Sequence, residues 1–197
     1  MSVKFLIGVD EAGRGPLAGP VSVGAVCIPV GFDFSVLEGA KDSKQMTEKA
    51  RETIFLKMQE LKKSGAINFI VALSSANTID TKGIVPAIRT ALAGAIGKLE
   101  ADPSECKVLL DGGLRAPIEY INQETIIKGD SKEKVIALAS IAAKVLRDRY
   151  MVKIAEKYPQ FGFEIHKGYG TKKHSEAIKE FGLSEIHRRS FCKAFDI

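Results

Sequence analysis

Four acidic residues in this chain stand where short apolar runs give way to polar or glycine-rich sequence. Asp10 and Glu11 close the run that begins at Val3. Asp111 follows Val108-Leu109-Leu110 and precedes Gly112-Gly113. Asp130 lies in Lys128-Gly129-Asp130-Ser131-Lys132-Glu133, ahead of a long helical pattern. Carboxylates without cysteine or paired-histidine ligands nearby suit a hard cation, magnesium or manganese, better than zinc. A cluster of them can hold two ions about 4 Å apart and clamp both sides of an in-line phosphoryl displacement. Each acid also has a simpler reading. Asp10-Glu11 could open a solvated loop, and adjacent strand residues converge only where a strand ends or bulges. Asp111 is a good turn former. Asp130 could be a helix N-cap, with Glu133 completing a capping box. The metal reading gains from all four acids sharing one design.

The next feature is Gly13-Arg14-Gly15-Pro16-Leu17-Ala18-Gly19-Pro20. Its spacing is G-x-G-x-x-x-G, with a proline after the second glycine and two acids before the first. That makes a poor dinucleotide cradle. Glycines here suggest a backbone that a ligand approaches closely. Arg14 could then meet a phosphate or a sugar edge.

The elements that must position these groups follow from periodicity. Strands are expected over Val3–Val9, Val21–Pro29, Ile67–Leu73, Lys107–Leu110 and Glu124–Ile127. Helices are expected over Glu48–Lys63, Ile84–Leu99 and Lys172–Phe181, with Ser131–Lys157 forming one long helix or two abutting ones. Strands and helices interleave after the first two strands, which implies an α/β domain with a mostly parallel sheet. The first two strands, joined without a helix, should form an antiparallel pair. In such sheets, sites gather at the carboxyl ends of strands. Asp10, Glu11 and Asp111 fall there.

Composition sets outer bounds. The chain has 197 residues, 45 % hydrophobic and 27 % charged, which suits one domain with a real core. Its three cysteines, Cys27, Cys106 and Cys192, form no C-x-x-C pair, so they read as reduced thiols and not as a zinc or dithiol site. No apolar run is long enough for a membrane span, and the N-terminus reads as a strand and not a signal peptide. The expected location is the cytoplasm. The net charge of +5 permits a polyanionic partner without requiring one.

Read as a whole, Gly8-Val9-Asp10-Glu11-Ala12-Gly13-Arg14-Gly15-Pro16-Leu17-Ala18-Gly19-Pro20-Val21 closely resembles the opening signature of the bacterial ribonuclease HII family, the type 2 ribonucleases H. Asp42-Ser43-Lys44 resembles the family's D-S-K segment, Leu110-Asp111-Gly112 its third acid, and Lys128-Gly129-Asp130 its fourth. Ala139-Ser140-Ile141-Ala142-Ala143-Lys144-Val145 is similar to the helix that follows. His166-Lys167-Gly168-Tyr169-Gly170-Thr171 and His187-Arg188-Arg189-Ser190-Phe191 match two late motifs.

The resemblance implies a ribonuclease H-like mixed sheet of about five strands, the second antiparallel, flanked by helices. It places a catalytic domain over 1–158 and a small helical, basic extension over 159–197 packed on it. It implies a metal-dependent endonuclease that cuts 5′ of ribonucleotides in duplex DNA or RNA–DNA hybrids, leaving 3′-hydroxyl and 5′-phosphate ends, and that removes misincorporated ribonucleotides. Asp10, Glu11, Asp111 and Asp130 would hold Mn2+ or Mg2+, two ions in the active complex. Gly13-Arg14-Gly15 would meet the ribose 2′-hydroxyl, a group only RNA offers. Tyr169 would press on the sugar at the RNA-to-DNA junction. Lys44, Lys167, Arg188 and Arg189 would contact phosphates, and Ser190 would join the substrate-binding set. The implied partners are nucleic-acid duplexes and no membrane, and the protein should be a monomer. His166, His174 and His187 lack metal-ligand spacing and read as structural or phosphate-proximal.

Two departures from the family pattern stand out: Gly113 replaces a frequent Asn, and Ala40-Lys41 replace a frequent L-N. Neither removes an acid. The sister family, ribonuclease HIII, commonly lacks the arginine that Arg14 supplies and carries an extra N-terminal domain, whereas nine residues precede Asp10 here. A non-catalytic nucleic-acid-binding module would be favoured by a missing acid. A nucleotide-binding α/β protein is disfavoured by the proline-broken loop.

Overall fold

A computed structural model describes residues 2–40 and 43–195. Asp42 and Lys41, both named above, lie outside the described residues. Five strands form one sheet: β1 (Phe5–Ala12), β2 (Val21–Pro29), β3 (Asn68–Ser74), β4 (Cys106–Asp111) and β5 (Gln123–Ile126), in the order β3-β2-β1-β4-β5. Only β2 opposes the others. It is antiparallel to β1 and β3, while β1, β4 and β5 pair in parallel. The expected mixed sheet with an antiparallel second strand is therefore present.

Six α-helices are seen among the described residues: α1 (Glu48–Lys63), α2 (Ala76–Lys82), α3 (Ile84–Gly97), α4 (Lys134–Ala155), α5 (Phe163–His166) and α6 (Lys172–Phe181). The short α2 and α5 were not legible from periodicity, because seven and four residues are too few to show an apolar stripe. Thr47, Ser75 and Thr171 cap α1, α2 and α6 by accepting the N–H of Ala50, Thr78 and His174.

The sheet is buried on both faces. On one, Ile88, Leu92 and Ile96 of α3 meet Ile7, Val9, Val23 and Val108. On the other, α1 and α4 pack Phe55, Met58, Leu138 and Ile141 against Val26, Ile28 and Leu109. α4 lies almost on the sheet backbone. A Cβ on Gly8 would come within 2.3 Å of the Val135 carbonyl oxygen, and one on Gly24 within 2.4 Å of the Ala139 oxygen. These two glycines let the helix descend until its backbone touches β1 and β2. Asp10 shares the Gly8 face of β1 and pairs with Gly24, so the close approach brings it against α4.

Two local expectations fail. β1 does not stop or bulge at Asp10; its pairing with β2 runs unbroken to Ala12↔Ser22. It is the pairing with β4 that ends, at Val9↔Leu110, so Asp10 and Glu11 overhang the sheet on that side. Asp130 also does not cap the long helix. That helix begins at Lys134 with Glu133 as its cap residue and no side-chain cap bond. Asp130 sits one turn earlier, in the 3-10 turn Gly129–Ser131, because Lys128 adopts a left-handed conformation (φ 55°) and redirects the chain.

A third cluster joins the C-terminal region to the rest. Phe161, Phe163 and Ile178 pack on Met151 and Ala155 of α4 and on Ala18 of the glycine loop. No helix among the described residues is long and apolar enough to cross a membrane.

Candidate active site

The parallel register sets Asp10 beside Asp111, one residue past Val9↔Leu110, and both lie on the α4 face. Asp10 is 3 % exposed. Burial pushes its carboxyl up to about 8; a hydrogen bond from Ser140 opposes this, and the Glu11 and Asp111 charges add to it. The Ser140 hydroxyl lies 2.8 Å from that of Ser43. Burial likewise raises Glu11, while Arg14, 3.4 Å away, lowers it.

Asp111 does more than stand in the cluster. Its Oδ1 accepts the Gly129 N–H at 2.6 Å and so anchors the turn that carries Asp130. A Cβ at Gly129 would lie 2.6 Å from Ile136 Cδ1, so that side chain would have to give way. Asp130 is buried, with Lys44 Nζ 3.4 Å from its Oδ2. As placed, the four acids do not already converge. Among the described residues, no three of His, Cys, Asp or Glu stand in a ready cage for one ion. Local bonds hold the carboxylates apart: Asp10 to the Glu11 N–H, Asp111 to the Gly129 N–H, Asp130 to Lys44. The donor chemistry nonetheless fits a hard divalent cation. The set is all oxygen, and the repulsion that Glu11 and Asp111 impose on Asp10 is what a cation would relieve.

The glycine loop is held from behind by two arginines with no exposed surface, Arg147 and Arg188. Arg188 donates to the carbonyls of Gly19 (2.9 Å), Arg14 (3.0 Å) and Gly13 (2.7 Å). Arg147 donates to Pro20 (2.9 Å), Ala18 (3.2 Å) and Lys167 (3.0 Å). Gly13 (φ 85°) must be glycine twice over, because a Cβ would also strike the Arg147 side chain at 2.0 Å. Burial lowers both guanidinium groups, and the neighbouring Arg147 charge helps bring Arg188 to about 9. Both stay protonated at neutral pH.

The expectation that Arg188 contacts a phosphate does not fit this placement. Its donors are spent on the loop, and its guanidinium lies 5.3 Å from the Phe191 ring. Arg188→Ala should cost about 3 kcal/mol, because three buried carbonyls lose a charged donor. The melting midpoint should then fall by about 6–12 °C. The salt dependence of duplex binding should stay as in the wild type, whereas Lys44→Ala, an exposed cation, should make it shallower. Anisotropy titrations across salt, with calorimetry, check both. A shallower slope for Arg188→Ala at unchanged stability would return it to the interface.

Tyr169 is half-exposed, its ring 5.7 Å from Lys144 Nζ and 5.9 Å from Arg147 Cζ. Gly168 ties it to the glycine loop, its carbonyl accepting the Leu17 N–H at 2.9 Å. Lys167 is half-buried, its ammonium on the Glu164 carbonyl. Ser190 and Arg189 are exposed. Asp80 receives their backbone N–H groups, and the Ser190 hydroxyl at 2.5 Å. Sequence reasoning did not single out Ser140, Lys144, Arg147 or Asp80. Ser140 carried a signal, as the one polar residue in the apolar run Val135–Ala143; the other three carried none.

The ribonuclease HII family model matches residues 7–194, from the first strand past the late motifs. The chain belongs to the ribonuclease HII family. It is 46 % identical to the ribonuclease HII of Caldicellulosiruptor bescii over 96 % of this chain and 87 % of that protein. The ribonuclease HII of Archaeoglobus fulgidus, solved as a PCNA complex, superposes with a TM-score of 0.75 at 25 % identity, covering 95 % of this chain and 94 % of that one. The ribonuclease H2 of Pyrococcus horikoshii superposes with a TM-score of 0.72 at 27 % identity, covering 98 % and 97 %. Family membership makes this a ribonuclease H-type, divalent-metal-dependent endonuclease acting on RNA–DNA substrates.

Proposed function

We propose that this endonuclease cuts 5′ of a ribonucleotide embedded in duplex DNA, leaving 3′-hydroxyl and 5′-phosphate ends, and so serves to remove misincorporated ribonucleotides. The observation that carries the reading is the linkage of three elements. The Gly13–Pro20 loop follows Asp10 and Glu11 directly in the chain, and Arg147 and Gly168 tie that loop to the segment carrying Tyr169 while Arg188 holds it from behind. A substrate spanning them would be read at fixed distances from the scissile bond.

Asp10, Glu11, Asp111 and Asp130 would hold Mg2+ or Mn2+, two ions in the active complex. Bound there, the cations supply charge stabilisation to the attacking and leaving oxygens. Ser140 and Ser43 orient Asp10, and Gly129 orients Asp111. Gly13 and Gly15 offer backbone without side chains, so a ribose can lie close enough for its 2′-hydroxyl to bond there, while Arg14 faces the adjacent phosphate. Tyr169 packs on the next sugar. Lys44, Lys167 and Ser190 form the outer contacts to the duplex, and the protein works as a monomer.

The test is cleavage of a DNA duplex with one ribonucleotide, beside a long RNA–DNA hybrid, with and without chelator. EDTA should abolish both activities and either ion should restore them. Product ends should be 3′-hydroxyl and 5′-phosphate. Activity in excess EDTA, or cutting of the hybrid alone, would sink the proposal.

A further inference from the structure

The chain's three histidines meet behind Tyr169. His174 is fully buried and His187 is 2 % exposed, and both pack on Phe161 and Phe163. Their bonds admit one consistent set of protons. The Tyr169 carbonyl can only accept from His174 Nδ1, 2.9 Å away, so the neutral His174 ring carries its proton there. That leaves His174 Nε2 to accept from His187 Nε2 at 3.0 Å, and His187 Nδ1 to accept from the Ser184 N–H at 2.9 Å and hydroxyl at 2.7 Å. His166 stacks on His174 at 4.4 Å; its Nδ1 accepts the Gly168 N–H and its Nε2 lies 2.7 Å from the Phe161 carbonyl. Burial holds His174 and His187 down to about 4, in keeping with neutral rings.

We propose that the directed relay Ser184 → His187 → His174 → Tyr169 is a positioning device that fixes the backbone of Tyr169 against the glycine loop and so sets the enzyme's selectivity for the junction. The relay's far end is itself fastened to that loop. Ile186 accepts the Gly19 N–H at 2.8 Å, Ala18 bridges to His187, and Arg188 N–H donates to the Leu17 carbonyl at 2.8 Å. One ring pair therefore joins the two elements assigned to reading the sugars. A proton added to His174 would set its Nε2–H against that of His187 across 3.0 Å, and one added to His187 would set an Nδ1–H against the Ser184 N–H across 2.9 Å. The selectivity role rests on the junction reading of Tyr169 proposed above; the tautomers do not.

The first arm of the test is 15N NMR of the wild type labelled at histidine, near neutral pH. His174 and His187 are expected neutral, with His174 carrying its proton on Nδ1 and His187 on Nε2. His174 protonated on Nε2 would overturn the relay. The second arm compares His174→Ala with His174→Asn, whose amide nitrogen can occupy the Nδ1 position and keep the donor. His174→Ala should lower cutting at a single ribonucleotide, relative to a long hybrid, by about tenfold or more. His174→Asn should restore most of that ratio even if both variants melt earlier. Equal losses on both substrates in both variants would reduce the relay to core packing. A wild type without preference for the junction would overturn the Tyr169 reading, and the selectivity role with it, whatever the tautomers.

Discussion

Asp10→Asn is expected to lower turnover by about three orders of magnitude or more while raising the melting midpoint of the metal-free protein. The loss follows from removing an anionic ligand from the all-oxygen set: several kcal/mol of charge stabilisation, at about 1.4 kcal/mol per tenfold, is a thousandfold or more. The gain in stability follows from the sign of the Asp10 shift. Its carboxyl sits at about 8 in the folded protein against an ordinary value of 3.8. Below the ordinary value both folded and unfolded chains are protonated there, and the group costs nothing. Between the two values the unfolded chain is ionised while the folded one retains its proton, so stability falls as pH rises. Above about 8 the full cost is present. Asparagine has no such cost, so the gap between variant and wild type should open from near zero at about pH 4 to on the order of 5 kcal/mol at about pH 8. For a chain of this size that is about 10–20 °C. Calorimetry in EDTA at several pH values measures it. A gap that does not grow with pH would mean that Asp10 is not held against its neighbours as described. Near-normal turnover would remove it from the centre of the site.

The second large effect concerns the 2′-hydroxyl. A site whose polar groups are built around a hydroxyl leaves them unpaired when it is missing, and such sites discriminate by about four powers of ten. The glycine loop can be such a site because it does not flex to compensate. Its carbonyls at Gly13, Arg14, Ala18, Gly19 and Pro20 accept from Arg147 and Arg188. Cutting at one ribonucleotide in DNA should therefore exceed cutting of the all-DNA duplex by about 10⁴-fold. Tyr169 is half-exposed, and under the proposed junction role Tyr169→Ala should lose about tenfold to a hundredfold on the single-ribonucleotide substrate and distinctly less on a long hybrid. The melting point should move little, since the backbone bonds of Tyr169 survive the change. Equal losses on the two substrates would make Tyr169 a general contact. Measurable cutting of all-DNA duplex would show that the loop does not sense the hydroxyl.

Much of the architecture was legible because it is encoded locally. The alternation of apolar strands with 3.6-residue periodicity marks each of the five strands and the four longer helices, and the helix-free link between β1 and β2 requires an antiparallel turn-back. Asp10, Glu11 and Asp111 were readable as strand-end acids for the same reason. Reading Asp130 as a helix cap was reasonable from Lys128 to Glu133, yet the left-handed Lys128 and the grip of Asp111 on Gly129 move it into a separate turn. That outcome depends on a residue 18 positions away.

The sequence by itself determined which chemistry was available: four hard oxygen donors, a loop free of side chains at its close approach, an aromatic ring and a modest cationic excess. Tertiary structure alone decided where the long side chains went. Arg188 looked like one more surface cation in a basic tail, but its guanidinium ends on Gly13, 175 residues earlier. His187 and His174 had no spacing that signified anything until the fold set their nitrogens 3.0 Å apart. Strand and helix periodicity is a property of neighbours in the chain, so it survives in the sequence. The destination of a flexible charged or titratable side chain depends on which carbonyls the rest of the fold leaves without partners, and those are settled only when distant segments meet.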